Sequence, residues 1–349
     1  MVEKKKPKRL LLKQMIMRRV VLALTPCVAG AVYFFGWRSL FLVLWAAAVG
    51  FATEYVFTRR RGESVSEAVF VTTTILALIM PPTVGLHVLT VGAVFAVMFT
   101  KEIFGGFGRN IFNPALAGRC FVYICFPVVL TSTWAPAAEG LWGALGRWTT
   151  APTADATTGA TPMAYLKAGR MVLDSSDAAS AHIPFDIPEG QTVQVKRTAL
   201  LKALTLGRLS GTMGVTSAVL ILIGGIYLFW TKTASRTIIL WLIGSYAVLN
   251  QVLYWFNVKP VPGAWPAVLG GGFLFGAFFM ATDPISAPKT EPGRIIYAVI
   301  IALCTVVIRN FSIFNGGLMF SILIGNMFGP IIDYAVREAT AKKKAGGQG

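Results

Sequence analysis

Long apolar runs alternate with short polar or basic hinges along almost the whole chain. A hydrocarbon core of about 30 Å needs roughly 20 apolar residues per crossing helix, and helices shielded by protein can be shorter. Ten runs fit, at about 20–36, 39–57, 67–80, 84–100, 111–130, 212–230, 237–256, 264–281, 295–309 and 317–335. The third is short and ends at Pro81-Pro82, which stops a helix. Its Thr72, Thr73 and Thr74 should face protein or water rather than lipid. The pattern predicts an all-α polytopic membrane protein of about ten transmembrane helices. It divides into a basic tail (1–19), a five-helix membrane unit (20–130), a long extracytoplasmic loop (131–211), a second five-helix unit (212–335) and a basic tail (336–349).

The two units show weak self-similarity at an offset near 200. RNIFN at 109–113 returns as RNFSIFN at 309–315, with a two-residue insertion. IMPPT at 79–83 matches MATDP at 280–284, which aligns Pro82 with Pro284. Two repeats of five helices must be inverted relative to each other, and such folds put Pro- and Gly-broken helices around a site at membrane depth. Coincidence in a restricted apolar alphabet is the competing account.

Charge sets the orientation. With the N-terminus inside, the inside segments hold 21 of the 32 Lys and Arg, and the short outside loops hold Arg38, Lys259 and Arg309. That contrast predicts cytoplasmic N- and C-termini and an outside location for 131–211. The basic start, MVEKKKPKRLLLKQMIMRR, leads into a span without a small-residue cleavage site and reads as a cytoplasmic tail. Only 13% of residues are charged and 55% are hydrophobic, against about 25% charged in soluble domains. Disorder is excluded, and nucleic acid is not an expected partner. The net charge of +17 reads as an orientation code and as contact with anionic lipid headgroups. Cys27, Cys120, Cys125 and Cys304 sit singly in apolar runs, and His87 and His182 are the only histidines, so no metal site is expected.

Three stretches carry candidate chemistry. In Lys101–Arg119, glycines let backbone approach a ligand, while Asn110 and Asn113, at i and i+3 on one helical face, suit the edge of a planar heterocycle. The alternative is a re-entrant turn with helix-capping asparagines. In DATTGATPMAYL (155–166), Pro162 fits a first helical position and makes Thr161 an N-cap. A hydroxyl there could carry a phosphoester at a helix start; on spacing alone, a Thr-capped surface helix explains it equally. In ATDPISAP (281–288), Asp283 closes a glycine-rich span, Glu54 ends another and Glu102 follows a third. Acidic groups at membrane depth are candidate cation or proton stations, and near an interface they are ordinary solvated carboxylates.

The runs KEIFGGFGRNIFNPALAGRCF, DATTGATPMAYLKAG, MATDPISAPKTEPGR and GNMFGPIIDY, in that order, resemble the NqrB/RnfD family. These are the flavin-carrying membrane subunits of sodium-translocating NADH:quinone oxidoreductases and of Rnf electron-transport complexes. The similarity runs from about 10 to 338. The resemblance implies FMN linked covalently through a phosphoester to Thr161, with Asp155, Thr158, Gly159 and Ala160 as the recognition motif of an FMN transferase. It implies non-covalent riboflavin near Asn110 and Asn113, and cation uptake at Glu54 and Asp283. It also implies partner subunits that carry the NAD(P)H chemistry, a bacterial inner membrane, and coupling to Na+ or H+. One departure is Gly214-Val215-Thr216-Ser217, where family members often read GETS; the acidic side chain is absent at Val215. The competing function is a secondary transporter or channel of inverted-repeat architecture, which has no need of the Thr161 motif. A purely structural scaffold leaves the clustered broken helices and acids unexplained.

Overall fold

The computed structural model describes residues 10–346 except 139, 141, 150–160, 175–178, 189, 313 and 315. Asp155, Thr158, Gly159 and Ala160 therefore lie outside the described residues, while Thr161 is within them.

The first unit runs β1 (Leu11–Leu12), α1 (Met15–Phe35), α2 (Trp37–Arg61), β2 (Val65–Ser66), α3 (Ala68–Leu78), α4 (Leu86–Val97), α5 (Pro114–Cys125) and α6 (Pro127–Thr131). The middle segment forms α7 (Pro162–Lys167), β3 (Met171–Asp174), β4 (Val193–Lys196) and α8 (Arg197–Leu206). The second unit runs α9 (Ala218–Trp230), α10 (Arg236–Trp255), α11 (Ala264–Leu269), α12 (Phe273–Phe275), α13 (Glu291–Phe311) and α14 (Gly317–Gly346). Wider π-helical turns extend α4 over Met98–Glu102 and α12 over Gly276–Met280. Two short parallel pairs, β1–β2 (Leu11 opposite Val65) and β3–β4 (Met171 opposite Val193), are the only sheets among the described residues.

The chain is thus mostly helical. Five helices, α1, α2, α10, α13 and α14, are long and apolar enough to cross a membrane; α3, α5 and α9 are shorter apolar helices. Large apolar side chains such as Leu22, Leu44, Ile223, Leu240, Val248 and Leu303 are exposed on the outer helix faces, as a lipid-facing surface requires. The helix boundaries follow from local chemistry. Ser217 and Ser235 accept the Leu220 and Ile238 amides at the starts of α9 and α10, and a left-handed Gly62 ends α2. α1 begins at Met15, earlier than the apolar run suggests. Glu67 accepts the Gln14 amide at 2.7 Å and the Arg18 guanidinium, which neutralises the first turn.

The expected run at 264–281 is interrupted at Gly270–Gly272, where Gly271 and Gly272 take φ of +57° and +70°. The expected run at 67–80 unwinds after Leu78. Freed carbonyls at such breaks need donors, because lipid supplies none. At the α3 break, Gly214 N–H donates to Leu78 O at 2.8 Å and Met213 N–H to Met80 O at 3.1 Å. Arg119 donates to Ile79 O, and Arg38 to Pro82 O and, at 2.6 Å, to Val84 O. At the α11–α12 break, Arg309 donates to Ala267 O at 3.1 Å. At the end of the π-helical extension of α12, Asn113 Nδ2 donates to Met280 O at 3.1 Å.

α1 and α9 cross through small residues: a Cβ on Gly224 would lie 2.0 Å from the Ala23 carbonyl oxygen, whereas one on Gly244, in α10, would meet nothing within 4 Å. Gly224→Ala should therefore lower the detergent-solubilised melting temperature and the yield of monodisperse protein. Gly244→Ala should leave both unchanged. Fluorescence-detected size exclusion after a temperature ramp checks the pair.

Candidate functional site

Two cavities lie on opposite sides of the broken helices. One encloses about 700 Å³ and is lined by Lys101, Phe107, Asn110, Asn113, Phe279 and Asp283, among others. The other encloses about 1260 Å³, part of it open to solvent, and is lined by Arg119, Tyr123, Thr161, Val215, Met280 and Arg309, among others.

In the asparagine cavity, residues read separately from the sequence come together. Asn110, Asn113 and Asp283 all line it, and Glu54 reaches it through Lys101. The expected helical face for Asn110 and Asn113 is not formed. Residues 109–113 are an irregular bend because Pro114 opens α5 and pushes the preceding residue out of the helical region. Asn113 is the N-cap: its Oδ1 accepts Ala115 N–H at 3.1 Å and Leu116 N–H at 3.3 Å. Its backbone N–H donates to Asn326 Oδ1 at 3.0 Å. Asn110 is bound more lightly, with Nδ2 donating to Phe112 O at 3.1 Å. Asn110 is therefore the better placed to present an amide to a ring, while Asn113 positions the wall.

The carboxylates are also anchored. Glu54 Oε1 accepts the Ser66 amide at 2.8 Å and the Ser66 hydroxyl at 2.7 Å; Oε2 accepts Lys101 Nζ at 2.6 Å. Asp283 accepts Ile285 N–H at 3.2 Å and the Ser286 hydroxyl at 2.8 Å. Glu102 pairs with Arg61 through one oxygen, and its other oxygen is buried without a hydrogen-bond partner. A cation entering at Glu54 must displace Lys101 or share the carboxylate with it.

In the threonine cavity, Thr161 caps α7, its Oγ1 accepting Ala164 N–H at 3.3 Å, with Pro162 as the first helical residue. Val215 packs against the chain break: a Cβ on Gly272 would lie 2.6 Å from Val215 Cγ1. Arg119 and Arg309 were not singled out as site residues from the sequence. Their signal was present, since one is a cation within an apolar run and the other opens the RNFSIFN repeat. Arg309 Nη1 donates to Tyr246 Oη at 3.0 Å and to Ala267 O, and Tyr246 stacks on Phe273 with ring centroids 3.9 Å apart. Arg119 Nε and Arg309 Nη2 are buried without partners. These orphaned donors, the absence of Asp or Glu from the described lining, and Thr161 at the rim fit an acceptor-rich, anionic group held from Thr161.

The partition between the cavities is thin. Pro114 and Ala115 line one side, while Leu116 and Arg119, on the same helix, line the other. Asn113, on the first side, bonds Met280 O, on the second.

Lys101 and Glu54 are both nearly fully buried. Lys101→Met should cost about 3–5 kcal/mol by stranding the carboxylate, and Glu54→Gln/Lys101→Met should recover most of that loss. Denaturant titration of the solubilised variants measures both.

The sequence pattern that defines the NQR2, RnfD, RnfE family matches residues 11–342. A Na(+)-translocating NADH-quinone reductase subunit from Chromohalobacter salexigens is 34% identical over 323 residues, covering 91% of this chain and 68% of that protein. An ion-translocating oxidoreductase complex subunit from Alcanivorax borkumensis is 32% identical over 345 residues, covering 95% and 94%. A Na(+)-translocating NADH-quinone reductase subunit from Haemophilus influenzae (strain PittEE) is 34% identical over 321 residues, covering 90% and 69%.

Proposed function

Because the chain belongs to the NQR2, RnfD, RnfE family, we propose that it is a membrane subunit of an ion-translocating oxidoreductase complex of the Nqr or Rnf type, carrying FMN on Thr161. The observation that carries this reading is the threonine cavity: a hydroxyl at its rim and two guanidiniums, Arg309 buried and Arg119 half-buried, each with one buried, unpartnered nitrogen. A permease for a small solute has no use for a modifiable threonine at that rim. An FMN transferase acts on the motif containing Asp155, Thr158, Gly159 and Ala160, on the outer face of a bacterial inner membrane, with both chain termini cytoplasmic.

FMN supplies one- and two-electron redox chemistry when bound; the protein anchors it, orients it and sets its electrostatics. Thr161 anchors the phosphate, and the apolar side chains of the wall, among them Leu116, Leu130 and Leu269, surround the rest of the group. Partner subunits carry the NAD(P)H chemistry, since the chain has no dinucleotide-binding fingerprint.

Asn110 orients riboflavin in the asparagine cavity through its amide, and Asn113 fixes that wall by capping α5. This cavity is also lined by Ile16 and Met17, at the start of α1, and by Thr233, between α9 and α10. The basic-residue count assigns those segments to the cytoplasmic side, so the two flavins face opposite sides of the membrane. Glu54 and Asp283, one behind Lys101 and one on the cavity wall, are the stations for Na+ or H+. Ten crossings in two inverted repeats suit this division. In support, the pairings α2–α3, α2–α4 and α4–α5 recur as α10–α11, α10–α13 and α13–α14.

The test is denaturing electrophoresis with in-gel flavin fluorescence on protein co-expressed with an FMN transferase. A fluorescent band is expected in the wild type and should vanish in Thr161→Ala. No band in the wild type sinks the assignment, and a band that persists in the variant moves the attachment elsewhere.

A further inference from the structure

Charge is unevenly distributed over the threonine cavity. Arg309 is 8% exposed, and among the described residues neither it nor Arg119 has a carboxylate within ion-pair distance. No Asp or Glu is among the described lining residues, and position 215, where an acidic side chain could sit, is Val215. Both guanidiniums are held from behind, Arg119 by Ile79 O and Arg309 by Tyr246 Oη and Ala267 O. Each keeps one buried, unpartnered nitrogen. Around Arg309, space is kept clear by backbone: a Cβ on Gly271 would lie 2.1 Å from its Nη2. Buried cations without counterions are among the costliest arrangements a fold can keep, and a bound anion is the usual remedy. The half-buried Thr161 marks the rim, and Arg309 lies deeper.

We propose that Arg119 and Arg309 act as positioning residues that hold negative charge on the isoalloxazine ring of a flavin tethered at Thr161, and so raise its reduction potential. This rests on the assignment of the flavin to Thr161. In FMN the phosphate and the ring stand at opposite ends of the ribityl chain. A phosphate fixed at the rim therefore sends the ring toward Arg119 and the more deeply buried Arg309. When two electrons from a redox cofactor on a neighbouring subunit and one proton from solvent enter the ring, N5 takes the proton. N1 and the C2 carbonyl are left sharing one negative charge. Two guanidiniums favour that form over the neutral oxidised ring, and Val215 leaves the preference uncancelled.

The experiment is a dithionite redox titration, followed by absorbance, of full-length flavinylated protein in detergent, after in-gel fluorescence has verified loading. Arg309→Gln should weaken the preference for the reduced ring about tenfold, lowering the two-electron midpoint by about 30 mV. Val215→Glu, which leaves the bonds of Arg309 to Tyr246 and Ala267 in place, should lower it in the same direction. Arg309→Lys should restore most of the shift, and Lys202→Gln, an exposed charge on α8 outside the cavity, should not move it. Normal loading with an unchanged midpoint in both Arg309→Gln and Val215→Glu overturns this inference and leaves the Thr161 assignment standing. An equal drop in Lys202→Gln also overturns it, because the effect would then be general. No covalent flavin in the wild type overturns both.

Discussion

Two helices stop inside the bundle, and the fold depends on how their last carbonyls find donors. Lipid offers no hydrogen bonds, so each open carbonyl must be met by protein. At the α3 break the donors are two backbone amides from the segment before α9 and two arginines, Arg38 and Arg119. At the α11–α12 break the donor is Arg309, and Asn113 meets the last π-helical turn after α12 at Met280. Several of these bonds join the first unit to the second. The same bonds that close the backbone therefore hold the two units in register, and they draw polar side chains to the depth where the cavities lie.

This arrangement accounts for the unusual placement of cations. An arginine that closes a carbonyl from one side presents its remaining nitrogens to the other. Glycines at 271 and 272 keep that side open, since any side chain there would fill the space. The asparagine cavity is built differently. Its cation, Lys101, is matched by Glu54 and Ser66, so its charge is balanced within the protein. The lysine of one cavity is paired within the protein, whereas the arginines of the other have no carboxylate partner among the described residues.

Much of this was legible in the sequence. The apolar runs, the helix stop at Pro81-Pro82 and the capping residues Asn113 and Thr161 each act locally, so their effect can be read from neighbouring residues, whereas the break at Gly270–Gly272 inside the expected run at 264–281 was not foreseen. The convergence of Asn110, Asn113 and Asp283 on one cavity was not legible, because it depends on packing between residues far apart in the chain. The helical face expected for the two asparagines failed for a local reason, the proline at 114, which the motif itself contains. Arg119 and Arg309 entered only as units in a charge count. Their chemistry became visible once the structure showed which of their nitrogens have partners and which do not.

The partition at the start of α5 has one more consequence. Asn113 caps that helix, bonds the last turn of the opposing broken helix and is held through its backbone by Asn326, so it ties the wall of one cavity to a residue that lines the other. Any displacement of this helix start would be felt on both sides of the wall, because the bonds that fix it reach across the wall. By linkage such an influence would run equally in both directions.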